Sequence, residues 1–136
     1  MRTSEESSYP LDWLNKAAGD LKRVKARLEE GDIEDAAFHL QQAIEKALKG
    51  FLLSRGWKLK KIHDLEALLD DAVRYDTFLE RYRHLMQQVT GYYLTERYPT
   101  FDLGNEGLLQ DEVAKGYQGA KRLFARLRKI VQGTSL

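Results

Sequence analysis

The sequence predicts an all-α fold, an up-and-down bundle of four to five helices. Apolar residues recur at steps of three and four rather than in alternation. The only two prolines are Pro10 and Pro99, so the long stretch between them lacks the strongest helix breaker. Candidate capping residues stand where successive apolar stripes begin. The 136 residues suit one domain, expected over 8–132, with 1–7 and 133–136 as short polar tails.

The first helix is expected from about Pro10 to Glu30, with Leu11, Leu14, Ala18, Leu21, Lys25 and Leu28 on its inner stripe. Ser8 is a candidate cap, Pro10 is tolerated in a first turn, and Gly31 can close the helix in a left-handed C-cap. Asp32 offers its carboxylate to a second helix that buries Ala37, Leu40, Ile44, Ala47, Leu48 and Phe51 and runs to Gly56. So short a connection makes the two helices antiparallel. A third helix is expected over Asp64 to Tyr75, capped by Asp64, with Leu65, Leu68, Leu69 and Ala72 inward. Thr77-Phe78-Leu79-Glu80 matches an S/T-x-x-E capping box and is expected to open a fourth helix. The inner stripe there is Phe78, Tyr82, Leu85, Met86, Val89 and Tyr93, and Pro99 should stop the helix near Arg97. After a loop from Tyr98 to Gly107, a last helix carries Leu109, Val113, Gly116, Ala120, Phe124, Leu127 and Val131, its Gly116 and Ala120 permitting close approach to a neighbour.

Composition removes several classes of function. There is no cysteine, so disulfides, thiolate metal sites and cysteine nucleophiles are excluded. The three histidines (His39, His63, His84) form no H-x-x-x-H pair, and no metal site is expected. No GxSxG, Walker or GxGxxG loop is present. Apolar runs are far too short to span a bilayer and the N-terminus does not resemble a secretory signal, so a cytoplasmic protein without membrane contact is expected. A net charge of +1 supplies no overall field toward nucleic acid.

Charge is nevertheless segregated. From Lys46 to Lys61 there are six basic residues and no acid (Lys46, Lys49, Arg55, Lys58, Lys60, Lys61), and from Ile62 to Glu80 there are six acids against Arg74. The basic run reads either as a phosphate-binding rim at the end of the second helix or as cations that offset the helix dipole and the neighbouring acids. On the second helix, Phe38, Gln41, Gln42, Glu45 and Lys49 share a face away from the centre of the inner stripe, which suits either a binding surface or a homodimer seam. Tyr82, Tyr92, Tyr93 and Tyr98 gather near the end of the fourth helix.

The segments Ala36-Ala37-Phe38-His39-Leu40-Gln41-Gln42-Ala43-Ile44-Glu45-Lys46-Ala47-Leu48-Lys49, His63-Asp64-Leu65, Tyr92-Tyr93 and Arg97-Tyr98-Pro99, in that order, resemble the HEPN domain family (higher eukaryotes and prokaryotes nucleotide-binding), in its subgroup carrying RYP. The resemblance implies a helical bundle, often a homodimer, often encoded beside a minimal nucleotidyltransferase in a toxin–antitoxin-like pair. Many members of that family are metal-independent ribonucleases with an Arg, four to six residues, then His. There the cation stabilises phosphorane-like charge and the imidazole moves the 2′-hydroxyl proton. No histidine here has an arginine at that distance before it. The expectation is therefore a non-catalytic protein that binds ATP or another nucleotide, a minimal nucleotidyltransferase partner, or both, with no resident cofactor and with RNA a weaker candidate ligand.

The candidate nucleotide-binding residues are Gln42, Glu45, Lys46, Lys49, His63, Tyr93, Arg97 and Tyr98. Lys46 and Lys49 are expected to meet phosphates, Arg97 to add a bidentate contact, and Tyr93 or Tyr98 to stack on a base. The alternative for Arg97 is that it braces a helix end. Two other readings stand beside the first: a divergent ribonuclease using Arg97 with His63, and a purely structural dimeric module whose Phe38 face forms the seam.

Overall fold

The computed structural model describes residues 7–97 and 106–133, and for residues 93–97 and 106–108 it describes the backbone alone. Among the described residues five α-helices make up the bundle: α1 (Pro10–Glu30), α2 (Ile33–Ser54), α3 (Leu65–Val73), α4 (Arg83–Arg97) and α5 (Glu106–Gly133), with a 3-10 helix over Thr77–Tyr82 leading into α4. Helix α2 is the hub and packs against each of the other four. Its Leu40, Ile44, Leu48, Phe51 and Leu52 are buried, and they meet Leu14, Leu21 and Val24 of α1, Leu65, Leu68 and Leu69 of α3, Met86 and Val89 of α4, and Leu123 and Leu127 of α5 in one core.

The α1–α2 connection follows from two residues. Gly31 takes φ 79°, a left-handed conformation that costs glycine little, and the amides of Gly31 and Asp32 bond back to the carbonyls of Leu28 and Arg27. Asp32 then caps α2, its carboxylate accepting from the Asp35 amide at 3.2 Å. Asp64 caps α3 in the same way, accepting from the amides of Glu66 and Ala67. Between α2 and α3, Trp57 donates its indole N–H to Asp71 Oδ2 at 3.1 Å and ties the connecting segment to α3.

Close approach is built into two places. A Cβ on Gly50 of α2 would lie 3.0 Å from the Pro10 carbonyl and 3.2 Å from both Trp13 and Leu14, so the start of α1 rests directly on the α2 backbone. A Cβ on Gly116 of α5 would lie 3.1 Å from Leu40 and 3.2 Å from Tyr92, in keeping with the expected close packing at that glycine. The Tyr92 hydroxyl donates to the Glu112 carbonyl at 2.8 Å, and burial, with Glu112 nearby, pushes its ionisation to higher pH.

Three expectations are corrected. The inward arc of α1 is Trp13, Leu14, Ala17, Asp20, Leu21 and Val24, whereas Leu11 and Lys25 are exposed. Trp13 sets this rotation, because its indole N–H donates to the Ser7 carbonyl at 2.7 Å and its side chain packs over Gly50. Thr77 and Glu80 form no capping box. Asp76 is the cap, accepting from the Phe78 amide, and Glu80 turns to Arg83 instead. In the last helix Leu123 is fully buried and Phe124 only half-buried. The RYP segment's Tyr98 and Pro99 lie outside the described residues, and α4 is described as far as Arg97.

Candidate functional site

The charged candidate residues of α2 divide between two ion clusters on the seam with α1. Glu45 and Lys49 lie one turn apart, and their side chains meet at 3.0 Å with exposures of only 7% and 4%. The Lys49 ammonium also sits 5.6 Å from the centre of the Trp13 ring, so α1 covers it. Burial of such a pair is tolerated because each charge satisfies the other; removing one partner would strand the second in apolar surroundings. Phe38 is 45% exposed and Gln41 and Gln42 are half-buried, so the face grouped in the sequence is split, its Glu45 and Lys49 end facing inward.

The same Glu45 oxygen that binds Lys49 also meets His63 Nδ1 at 3.0 Å. His63 lies on the segment that returns from α2 to α3, immediately before the α3 cap Asp64, and its side chain is 74% exposed. A carboxylate only accepts, so Nδ1 carries the proton, and Nε2 is the nitrogen left to face solvent. On the same segment Lys58, Lys60 and Lys61 are exposed. Lys60 leans on Trp57 at 5.8 Å, and none of the three forms an ion pair among the described residues. The result is an exposed imidazole, braced from below by a buried carboxylate, on a segment whose three lysines form no ion pair among the described residues.

Lys46 faces the other way. Its ammonium binds Asp20 Oδ2 at 2.8 Å, and the second oxygen of Asp20 meets His39 Nδ1 at 2.9 Å. Asp20 is 4% exposed, and Arg23 adds a weaker contact at 3.7 Å. The other His39 nitrogen lies 3.4 Å from Asp35, which also binds Arg27 at 2.8 Å. Glu30 and Asp35 beside the Arg27 guanidinium hold its proton more tightly, the hydrogen bond to Asp35 contributing most. Both nitrogens of His39 thus face carboxylates, and this cluster has no free end.

Of the eight candidate residues, Glu45, Lys49 and His63 come together in one cluster; Lys46 belongs to the other, and Gln42 stands one turn before Glu45 without joining either. Tyr93 and Arg97 lie in the last two turns of α4, where the backbone alone is described, and Tyr98 lies outside the described residues. Trp13 and Asp20 belong to the two clusters although the expected stripe of α1 does not include them. Their signal is their position on α1 at helical spacing with Ala17 and Val24, once the arc is rotated away from Leu11. Among the described residues, no group of three or more His, Asp or Glu side chains is placed to hold a metal, and no helix is long and apolar enough to cross a membrane.

No curated protein and no solved structure matches the chain. A family model does match: that of the HEPN domain, over residues 11–131, which takes in all five helices except their outermost residues. With an all-helical bundle among the described residues and that model matched over residues 11–131, the chain belongs to the HEPN domain family.

Proposed function

We propose that this HEPN-domain protein is a non-catalytic binding module that takes the phosphate end of a nucleotide such as ATP and acts on a minimal nucleotidyltransferase partner in a toxin–antitoxin-like pair. One observation carries the reading: an exposed imidazole, fixed by buried Glu45 and Lys49, stands on a segment with three exposed lysines that no acid neutralises among the described residues. The exposed lysines offer charge-assisted hydrogen bonds to phosphate oxygens, and His63 adds one in its doubly protonated form, with Nδ1–H kept on Glu45 and Nε2–H turned to the phosphate. Lys49 supports the site from below rather than by direct contact, since its ammonium is buried under Trp13 and bound to Glu45. The phosphate contacts are assigned to His63, Lys60 and Lys61, a further bidentate contact to Arg97, and stacking on the base to Tyr93 or Tyr98. In this reading the protein is a cytoplasmic homodimer, and exposed Phe38, edge-on to His39 at 5.2 Å, belongs to its seam.

Calorimetric titration with ATP, with and without magnesium, tests the binding. Micromolar affinity is expected, weakened about tenfold or more by Lys60→Ala with Lys61→Ala, by Arg97→Ala or by His63→Gln, the effect of one lost charge-assisted contact. Absence of binding, or affinity unchanged in all three variants, would remove the nucleotide site. Phe38→Glu should yield monomers by light scattering, and a persistent dimer would move the seam elsewhere.

The Glu45–His63 pair also favours a second reading, a divergent metal-independent ribonuclease in which His63 moves a proton and Arg97 stabilises charge. Cleavage of single-stranded RNA in chelator, abolished by His63→Ala, would establish it; intact RNA after long incubation would reject it.

A further inference from the structure

The chain holds three histidines in three distinct environments. His39 has both nitrogens against carboxylates, Asp20 at 2.9 Å and Asp35 at 3.4 Å. His84 is exposed and has no hydrogen bond or ion pair among the described residues. His63 alone combines an open ring with a buried carboxylate 3.0 Å from Nδ1. That third arrangement makes a nucleophile. The carboxylate keeps the proton on Nδ1, so the lone pair sits on the exposed Nε2, and it stabilises the positive charge that grows on the ring as Nε2 forms a bond. Lys49, bound to the same carboxylate oxygen and shielded by Trp13, holds Glu45 in place. The exposed Lys60 and Lys61, three and two residues before His63, favour an anionic electrophile over a neutral one.

We propose that His63 is a phosphoryl-acceptor residue, taking a phosphoryl group on Nε2 from a small activated donor of the acyl-phosphate or phosphoramidate class. In the step with phosphoramidate, the Nε2 lone pair attacks phosphorus and a new N–P bond forms. The phosphorus–nitrogen bond of the donor breaks, and its electron pair leaves with ammonia. The Nδ1 proton, held meanwhile against Glu45, passes through solvent to that ammonia, giving ammonium and a neutral phosphoimidazole ring. Nothing is oxidised or reduced. Glu45 acts as a positioning residue, since it touches the ring and not the phosphorus. The inference goes beyond nucleotide binding: the same side chain is used, but no nucleoside is needed.

The test is incubation of the whole protein with phosphoramidate, with the site of modification followed over time by tandem mass spectrometry under alkaline conditions that preserve phosphohistidine. His84 serves as the control within the same folded chain. Modification of His63 is expected about tenfold faster than that of His84, the rate effect of one charge-assisted hydrogen bond strengthened in the transition state, and His39 should remain unmodified. Glu45→Gln keeps the shape of the acceptor and should erase the lead of His63 over His84. Should that variant not fold, the ratio within the wild-type chain still decides. Equal rates at His63 and His84, or reaction at His84 alone, would overturn the proposal. Because the donor carries no nucleoside, loss of ATP binding with retained phosphorylation would reject only the nucleotide site, and the opposite result only this inference.

Discussion

The seam between α1 and α2 carries two versions of one ion cluster, each a buried carboxylate shared by a lysine and a histidine. At Asp20, Lys46 and His39 approach from the same side of α2, and the second nitrogen of His39 is taken by Asp35, itself bound to Arg27. At Glu45, Lys49 comes from one turn along α2, but His63 arrives from the connecting segment and keeps most of its ring in solvent. The charged groups are of the same three kinds and the consequences differ. Where the histidine belongs to the helix pair it helps to hold, every polar end is satisfied and the cluster acts as a fastener. Where it comes from a separate segment, the helix pair fixes one nitrogen and leaves the other free for a ligand. The placement of the histidine, not the charge inventory, separates a structural cluster from a candidate site.

Mutations that test this contrast rank by how completely the stranded partner is buried. Glu45→Ala leaves the Lys49 ammonium unpaired at 4% exposure, and a loss of about 3–5 kcal/mol is expected in chemical denaturation, the cost of an uncompensated buried charge. Asp20→Ala should cost less, about 1–3 kcal/mol, because Lys46 and His39 are each 17% exposed and retain some access to water. A larger loss at Asp20 than at Glu45 would break the assignment of the two clusters.

A third carboxylate, outside the seam, calibrates both. The Arg126 guanidinium forks onto Asp76, with Nε at 2.8 Å and Nη2 at 3.1 Å, and its hydrogen bond holds the Asp76 carboxyl below the usual range. A depressed value means that the folded state binds the proton less readily than the unfolded state does. The stability gained is therefore full above the unfolded value near 4 and is lost as pH falls through the folded one. Asp76→Asn should flatten that acid limb and cost about 1 kcal/mol at neutral pH, as for a partly exposed pair. Denaturation midpoints measured at pH 7 and across the acid range check both statements. The smallest effects separate the histidines: His39→Gln is expected to cost about 1 kcal/mol, and His63→Gln to lie within about 0.5 kcal/mol of wild type.

Most of the fold is legible in the amino-acid sequence, because apolar spacing and caps agree in α2 and α3. Asp32, Gly31 and Asp64 act as their residue types predict. Spacing misleads where a tertiary contact chooses among local options. The stripe of α1 turns because Trp13 finds Ser7 and Gly50, and the expected Thr77 cap yields to Asp76, one residue earlier and equally able to accept a backbone amide. The site is legible as a set of residue types but not as an arrangement. Glu45 and Lys49 at i and i+4 announce a pair, but nothing in the spacing shows whether that pair faces water. Trp13 decides that, and it lies thirty-six residues before Lys49 in the chain. The contact between His63 and Glu45 depends likewise on the path of the connecting segment, which helical periodicity does not encode.

Following the imidazole resonances of all three histidines by NMR as ATP is added shows whether the open cluster or the closed one receives a phosphate-bearing ligand. The His63 signals are expected to move and saturate while those of His39 and His84 stay in place. Saturable binding that leaves His63 unmoved, or that shifts His39 instead, would contradict that expectation.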